Sequence, residues 1–338
     1  MDMQDQLVVN NKKRPPLLVV AGICFSTTAI LYFAVQLLAY FGLLPEAFYT
    51  NVPLNLSVSQ LGFILLPTLI ILLVSGYNLR EVLRLNRPKL SEILISAAFP
   101  IILLPAMLGF AMIALLTIGL LFGSTNLSGV ESLTSMSLGL LILFAAVLPA
   151  LCEEVLFRGA LLKGLQKHGI VLGIIISSFL FGLFHMDPQR FIAQALLGAV
   201  AATVVYRTNS IFCGMTVHFS HNAFSFLLSE LLSATGAADD ASQSTDIMVV
   251  IREQAELIQM DPTILCIIMI GTMMVVTVFF LALSLPLFFA LFKVTKNKVR
   301  ELPDERQLTK PVYYVAMVPG LLIIIAFYAI MIAILIGG

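Results

Sequence analysis

Long apolar runs separated by short polar connectors make up most of this chain. Nine of them approach or exceed the ~20 residues that cross a hydrocarbon core. They are Leu17–Phe41, Leu61–Tyr77, Leu94–Phe122, Ser137–Leu162, Ile170–His185, Phe191–Tyr206, Ile211–Leu232, Thr263–Phe292 and Val312–Ile336. The pattern predicts an all-α fold: a polytopic membrane helix bundle of about nine transmembrane helices. The third run carries Pro100 and Pro105, which predict a kink or break. The fifth and sixth runs are short and are expected to pack inside the bundle. The chain divides into a three-span N-terminal region (1–136), a central helical core (137–232), an outer acidic loop with a helix (233–262) and a two-span C-terminal region (263–338).

Composition sharpens this reading. Apolar residues make up 59% of the 338 and charged residues only 11%, against roughly 25% charge in soluble domains. A soluble globule is excluded, and a net charge of zero offers no electrostatic footprint for nucleic acid. Cys24, Cys152, Cys213 and Cys266 all fall in apolar runs and outside any CxxC, so free buried thiols are expected. The first run is too long for a signal-peptide core and shows no small-residue cleavage site. With the N-terminus in the cytoplasm, all but Arg190 and Arg252 of the 19 lysines and arginines fall on the cytoplasmic side or at its edge, as the positive-inside rule requires. The chain is read as an integral protein of a bacterial plasma membrane.

The outer loop carries Asp239, Asp240, Asp246, Glu253, Glu256 and Asp261. Within it Ile247, Val250, Ile251, Ala255 and Ile258 recur at helical spacing. Two readings stand: a helix lying on the outer leaflet, or an ordinary amphipathic connector.

Ionisable residues inside a bilayer are expensive, and here they cluster. The fourth run holds Glu153, Glu154 and Arg158, the fifth ends in Phe181 and His185, and the seventh holds His218, His221 and Asn222. Glu154 and Arg158, four apart, share a helix face and can pair. Glu153 is rotated roughly 100° away. Depth also matches. Glu153 lies 15 residues before His168 and His185 lies 16 after Gly169, so both sit ~24 Å from that turn on straight helices. Counting back through the sixth and seventh runs returns Asn222 to within roughly 6 Å of the same level, with His218 about one turn lower. A buried polar network that only fixes helix packing accounts for any one of these residues; four groups converging at one depth point to a site. Cys152 has no neighbour that would activate a thiol. His221 reads as a supporting group and His168 as a solvated turn residue.

Taken together, Glu153-Glu154-x-x-x-Arg158, Phe181-x-x-x-His185 and His218-x-x-x-Asn222 resemble the EExxxR, FxxxH and HxxxN/D motifs of the CPBP family of intramembrane proteases. That family groups the CAAX prenyl endopeptidases with bacterial immunity and bacteriocin-processing homologues. The resemblance covers about Ser137 to Phe226 and makes 137–232 a CPBP-like catalytic core. It implies a glutamate-dependent endopeptidase with no cofactor. Glu153 would be general base with His185 holding the same water, and His218 and Asn222 would be oxyanion donors. Glu154 and Arg158 would orient or support, and Phe181 would wall the cavity. The implied partners are a peptide or membrane-protein substrate and the lipid bilayer. The alternative is a zinc protease using Glu153, His185 and His218 with a water in the fourth place, although HExxH is absent. Two other classes compete: a transporter using these groups as a proton or ion relay, which predicts an inverted repeat the sequence lacks, and a catalytically silent scaffold. Neither a GxSxG-like serine site nor an intramembrane pair of aspartates is present.

The orientation is tested by cysteine substitution at Ser242 and at Asn297. Membrane-impermeant labelling is expected from opposite faces, and labelling of both from one face would discard the topology.

Overall fold

The computed structural model of the chain describes residues 14–125, 136–234, 246–298 and 310–337. Asp239 and Asp240 of the outer loop and the side chain of His168 lie outside the described residues. Among the described residues the regular structure is helical throughout. The principal helices are α1 Leu17–Tyr40, α2 Val52–Val74, α3 Leu90–Phe122, α4 Leu138–Leu165, α5 Ile170–Phe184, α6 Phe191–Thr208, α7 Ile211–Ala234, α8 Ile247–Leu257, α9 Pro262–Val294 and α10 Val318–Gly337, the last led in by a 3₁₀ turn over Pro311–Met317.

Seven of these segments are long and apolar enough to cross a membrane: α1, α2, α3, α4, α6, α9 and the stretch Pro311–Ala333. Two of the nine expected spans do not qualify on their own. α5 has only 15 residues, and α7, though 24 residues long, dilutes its apolar run with His218, His221 and Asn222. α2 begins at Val52, well before the expected Leu61, because Asn51 caps it by accepting from Leu54 N at 3.0 Å. α3 is one continuous helix of 33 residues through Pro100 and Pro105, so of the expected kink or break the break is absent. Membrane helices tolerate proline when neighbouring helices and side chains re-satisfy the freed backbone.

α4 is the axis of the bundle. Of its most apolar stretch 56% is buried, against 11% in α9, so α4 faces protein and α9 faces mostly lipid. α1, α2 and α7 pack around α4, α5 pairs with α6, and α3 lies along α9 while also touching α6 and α7. α8 turns Met248 and Ile251 against Leu116 of α3 and Cys266 of α9. Asp246 caps α8, accepting from Met248 N, from Thr125 N and Oγ1 and from Ser124 Oγ. Burial pushes the Asp246 carboxyl up, but these hydrogen bonds outweigh it and hold it below its ordinary range. All four cysteines are free and buried.

Lipid tails are as apolar as leucine, so membrane helices join through close approach of small residues and shared hydrogen bonds. α1 and the C-terminal segment show both. Ser26 Oγ donates to Ala316 O at 2.7 Å and accepts from Gly320 N at 3.1 Å. A Cβ on Gly320 would stand 2.9 Å from Ser26 Cα. Gly320→Leu is therefore expected to destabilise by about 1–3 kcal/mol, the usual scale of overpacking, seen as a lower melting temperature in detergent. An unchanged melting temperature would refute this packing.

Candidate active site

α4 leaves α geometry twice, in π turns over Ile142–Val147 and Val155–Leu161. A third π turn, Val58–Leu65, lies in α2, which packs on α4. Such turns insert a residue into the helical circuit and gather at functional sites. The second π turn of α4 begins immediately after Glu153 and Glu154.

Glu154 Oε1 lies 2.7 Å from Arg158 Nη1, with the two side chains 0% and 1% exposed. Arg158 reaches further, its Nη2 donating to Gly198 O of α6 at 3.3 Å and its guanidinium stacking over Phe181 of α5 at 4.3 Å. The same Glu154 oxygen accepts from His218 Nδ1 at 3.2 Å. One turn earlier on α7, Gly214 makes room for the carboxylate, since a Cβ there would stand 2.6 Å from Glu154 Oε2. A single buried carboxylate thus ties α4 to α7, and its guanidinium partner ties α4 to α5 and α6.

Glu153 takes a different direction. Its Oε1 accepts from Gln60 Nε2 of α2 at 2.9 Å. Its Oε2 accepts no hydrogen bond from the described residues and faces His218 Nε2 at 4.0 Å. Tyr32 of α1 lies beside Ser59 and within electrostatic reach of Glu153.

The hydrogen bonds set the histidine tautomers. A carboxylate paired with a guanidinium accepts, so the 3.2 Å contact assigns His218 its proton on Nδ1 and leaves Nε2 facing Glu153. His185 caps the end of α5 and donates Nδ1–H to Phe181 O at 2.8 Å, which leaves its Nε2 a lone pair. His185 lies within electrostatic reach of both Glu153 and His218. The Phe181 ring packs edge-on against both histidines, with centroids 4.7 Å from His185 and 5.6 Å from His218. Two carboxylates against one guanidinium leave one uncompensated negative charge. One further proton, on His218 Nε2 or on Glu153, brings the cluster to neutrality.

The structure therefore gathers Glu153, Glu154, Arg158, Phe181, His185 and His218. Asn222 is differently engaged: its Nδ2 donates to Ala145 O, in the first π turn of α4, at 3.1 Å. Among the described residues no hydrogen bond joins Asn222 to Glu153 or His218. His221 lies in the electrostatic reach of both other histidines, and its Nδ1 has no hydrogen-bond partner. Sequence reasoning missed Gln60, Ser59, Tyr32 and Gly214. A signal for two of them exists: Ser57, Ser59 and Gln60 stand as a polar group directly before the apolar run that begins at Leu61.

Both histidines give Nδ1–H to an acceptor and keep Nε2 unprotonated, the usual arrangement behind metal-binding imidazoles. The donor atoms do not converge to match: no group of three His, Cys, Asp or Glu side chains among the described residues is arranged to hold a metal ion.

Residues 134–224 match the family model described as type II CAAX prenyl endopeptidase Rce1-like. The segment contains every one of the motif residues, from Glu153 to Asn222, and the match supports the CPBP/CAAX protease family. No curated protein and no solved structure matches the chain.

Removing one partner of a buried ion pair strands the other and costs about 3–5 kcal/mol. Arg158→Ala is thus expected to lower both yield and melting temperature as well as any activity. A variant that is fully stable but inactive would show that Arg158 acts in chemistry rather than in support.

Proposed function

We propose that this chain is a CAAX-type intramembrane endopeptidase in which Glu153 activates a water against a peptide bond. The observation that carries this reading is the 4.0 Å between Glu153 Oε2 and His218 Nε2, a spacing that one bridging water spans. Glu153 is otherwise held by Gln60 through its other oxygen, so the carboxylate is fixed while Oε2 is kept for the reaction.

In this mechanism Glu153 takes a proton from the water as its oxygen attacks the carbonyl carbon. His185 Nε2 accepts the water's second hydrogen and fixes its direction. The negative charge developing on the carbonyl oxygen is met by His218, which donates from Nε2 when it holds both protons; the buried cluster is then neutral before the attack. Asn222 supplies a second donor through the amide hydrogen not given to Ala145. Glu153 returns its proton to the leaving amine as the C–N bond breaks. Glu154 and Arg158 hold His218 and α4 in place. The substrate is a peptide or protein lying in or at the membrane. The proposal requires no metal.

Glu153→Gln keeps the shape and removes the base, so turnover is expected to fall by roughly 10²–10⁴-fold. Asn222→Ala is expected to lower kcat by about 10²–10³-fold with little change in KM. Peptide mass spectrometry of membranes carrying the wild type or Glu153→Gln supplies the first readout, with cleavage products present only for the wild type. Identical products from both would end the proposal. Chelators are expected to leave turnover intact; stoichiometric zinc together with chelator-sensitive activity would reassign Glu153, His185 and His218 as ligands.

A further inference from the structure

A second polar feature lies apart from the Glu153–His218 cluster, at the end of the bundle that carries the basic loops. A cavity of about 690 Å³ opens there between the start of α1, the turn after α2 and the end of α4. That is within the ~300–1,000 Å³ of ordinary small-molecule sites. Four cations line it, Arg14, Arg80, Lys163 and Lys167, against the single carboxylate of Glu81. None of the four forms a salt bridge among the described residues.

The cavity is part of the fold rather than a loose collection of loop charges. Lys163 is half-buried on α4. Asn86, another lining residue, is clamped in both directions: its Nδ2 donates to Asn209 O at 2.8 Å, and its carbonyl accepts from Ser210 Oγ at 2.6 Å. Arg84, 3% exposed, lies within electrostatic reach of Lys163 and donates Nη1 to Arg158 O at 3.0 Å and Nη2 to Gln166 Oε1. Tyr77 and Leu17 supply apolar ground along the same wall. Cations in a pocket at the helix ends, beside an aromatic and an aliphatic side chain, match a group that is anionic at one end and oily at the other.

We propose that this cavity binds the phosphate headgroup of an anionic phospholipid. The phosphodiester meets Arg14, Arg80, Lys163 and Lys167, and the acyl chains leave past Leu17 and Tyr77 into the bilayer. Bound there, the lipid neutralises like charges and steadies the end of α4, which Arg84 already holds at the Arg158 carbonyl and at Gln166.

The test uses the delipidated full-length chain in neutral detergent. It is titrated with short-chain phosphatidylglycerol, with phosphatidylcholine and with inorganic phosphate, and followed by melting temperature and native mass spectrometry. Phosphatidylglycerol is expected to be retained and to raise the melting temperature, and the other two are expected to do neither. Arg80→Gln combined with Lys163→Gln is expected to weaken the phosphatidylglycerol effect by roughly tenfold or more. Lys293→Gln combined with Lys296→Gln, basic residues outside the cavity, is expected to leave it unchanged. Equal retention in the first pair, or an equal loss in the second, overturns the site. Inorganic phosphate acting as well as the lipid overturns the lipid as its occupant. Should Lys163→Gln fail to fold, Arg80→Gln with Lys167→Gln, both exposed, makes the same measurement with the same outcomes.

Discussion

One ion pair organises this molecule. Glu154 and Arg158 sit where the surroundings cannot solvate either alone, so each must be met by protein. Their partners come from α5, α6 and α7: the Phe181 face, the Gly198 carbonyl and the His218 imidazole. A buried pair seldom contributes much net stability against a well-packed apolar core. It does restrict which arrangements of the helices are tolerable, because any other arrangement leaves a charge bare. Here that restriction holds His218 in a defined tautomer next to Glu153.

The parts of this arrangement legible in the sequence were those set by local spacing. The Glu154–Arg158 contact follows from a four-residue separation on one helix, and the opposite turn of Glu153 follows from one residue's rotation. Counting residues from the turns also brought His185 and His218 to the depth of Glu153, since a helix converts residue number into height. What depends on a distant part of the chain was not legible. Gln60 stands 93 residues before the carboxylate it holds, and no spacing rule reaches that far. The start of α2 was misplaced for a related reason: Ser59 and Gln60 look like connector residues until α4 is there to receive them.

Asn222 adds a detail that no spacing rule supplies: one of its amide hydrogens goes to the backbone of Ala145 in α4. Depth fixes height, not azimuth, and two π turns shift the faces of α4 relative to a straight helix. The unbroken course of α3 through Pro100 and Pro105 has the same character. A proline removes one backbone donor, but whether the helix is interrupted depends on what lies beside it, and α3 is flanked by α6, α7 and α9.

The lengths of α3 and α9 set a relation between this protein and its host membrane. Each has 33 residues, ~50 Å at 1.5 Å per residue, against a hydrocarbon layer of ~30 Å. Hydrophobic mismatch of this sign is relieved by tilt, by protrusion or by local thickening of the lipid. α3 packs on α7 as well as on α9, so whatever tilt it adopts is shared with the helix that carries His218. Bilayer thickness thereby becomes a mechanical boundary condition on the chemistry proposed for the buried cluster.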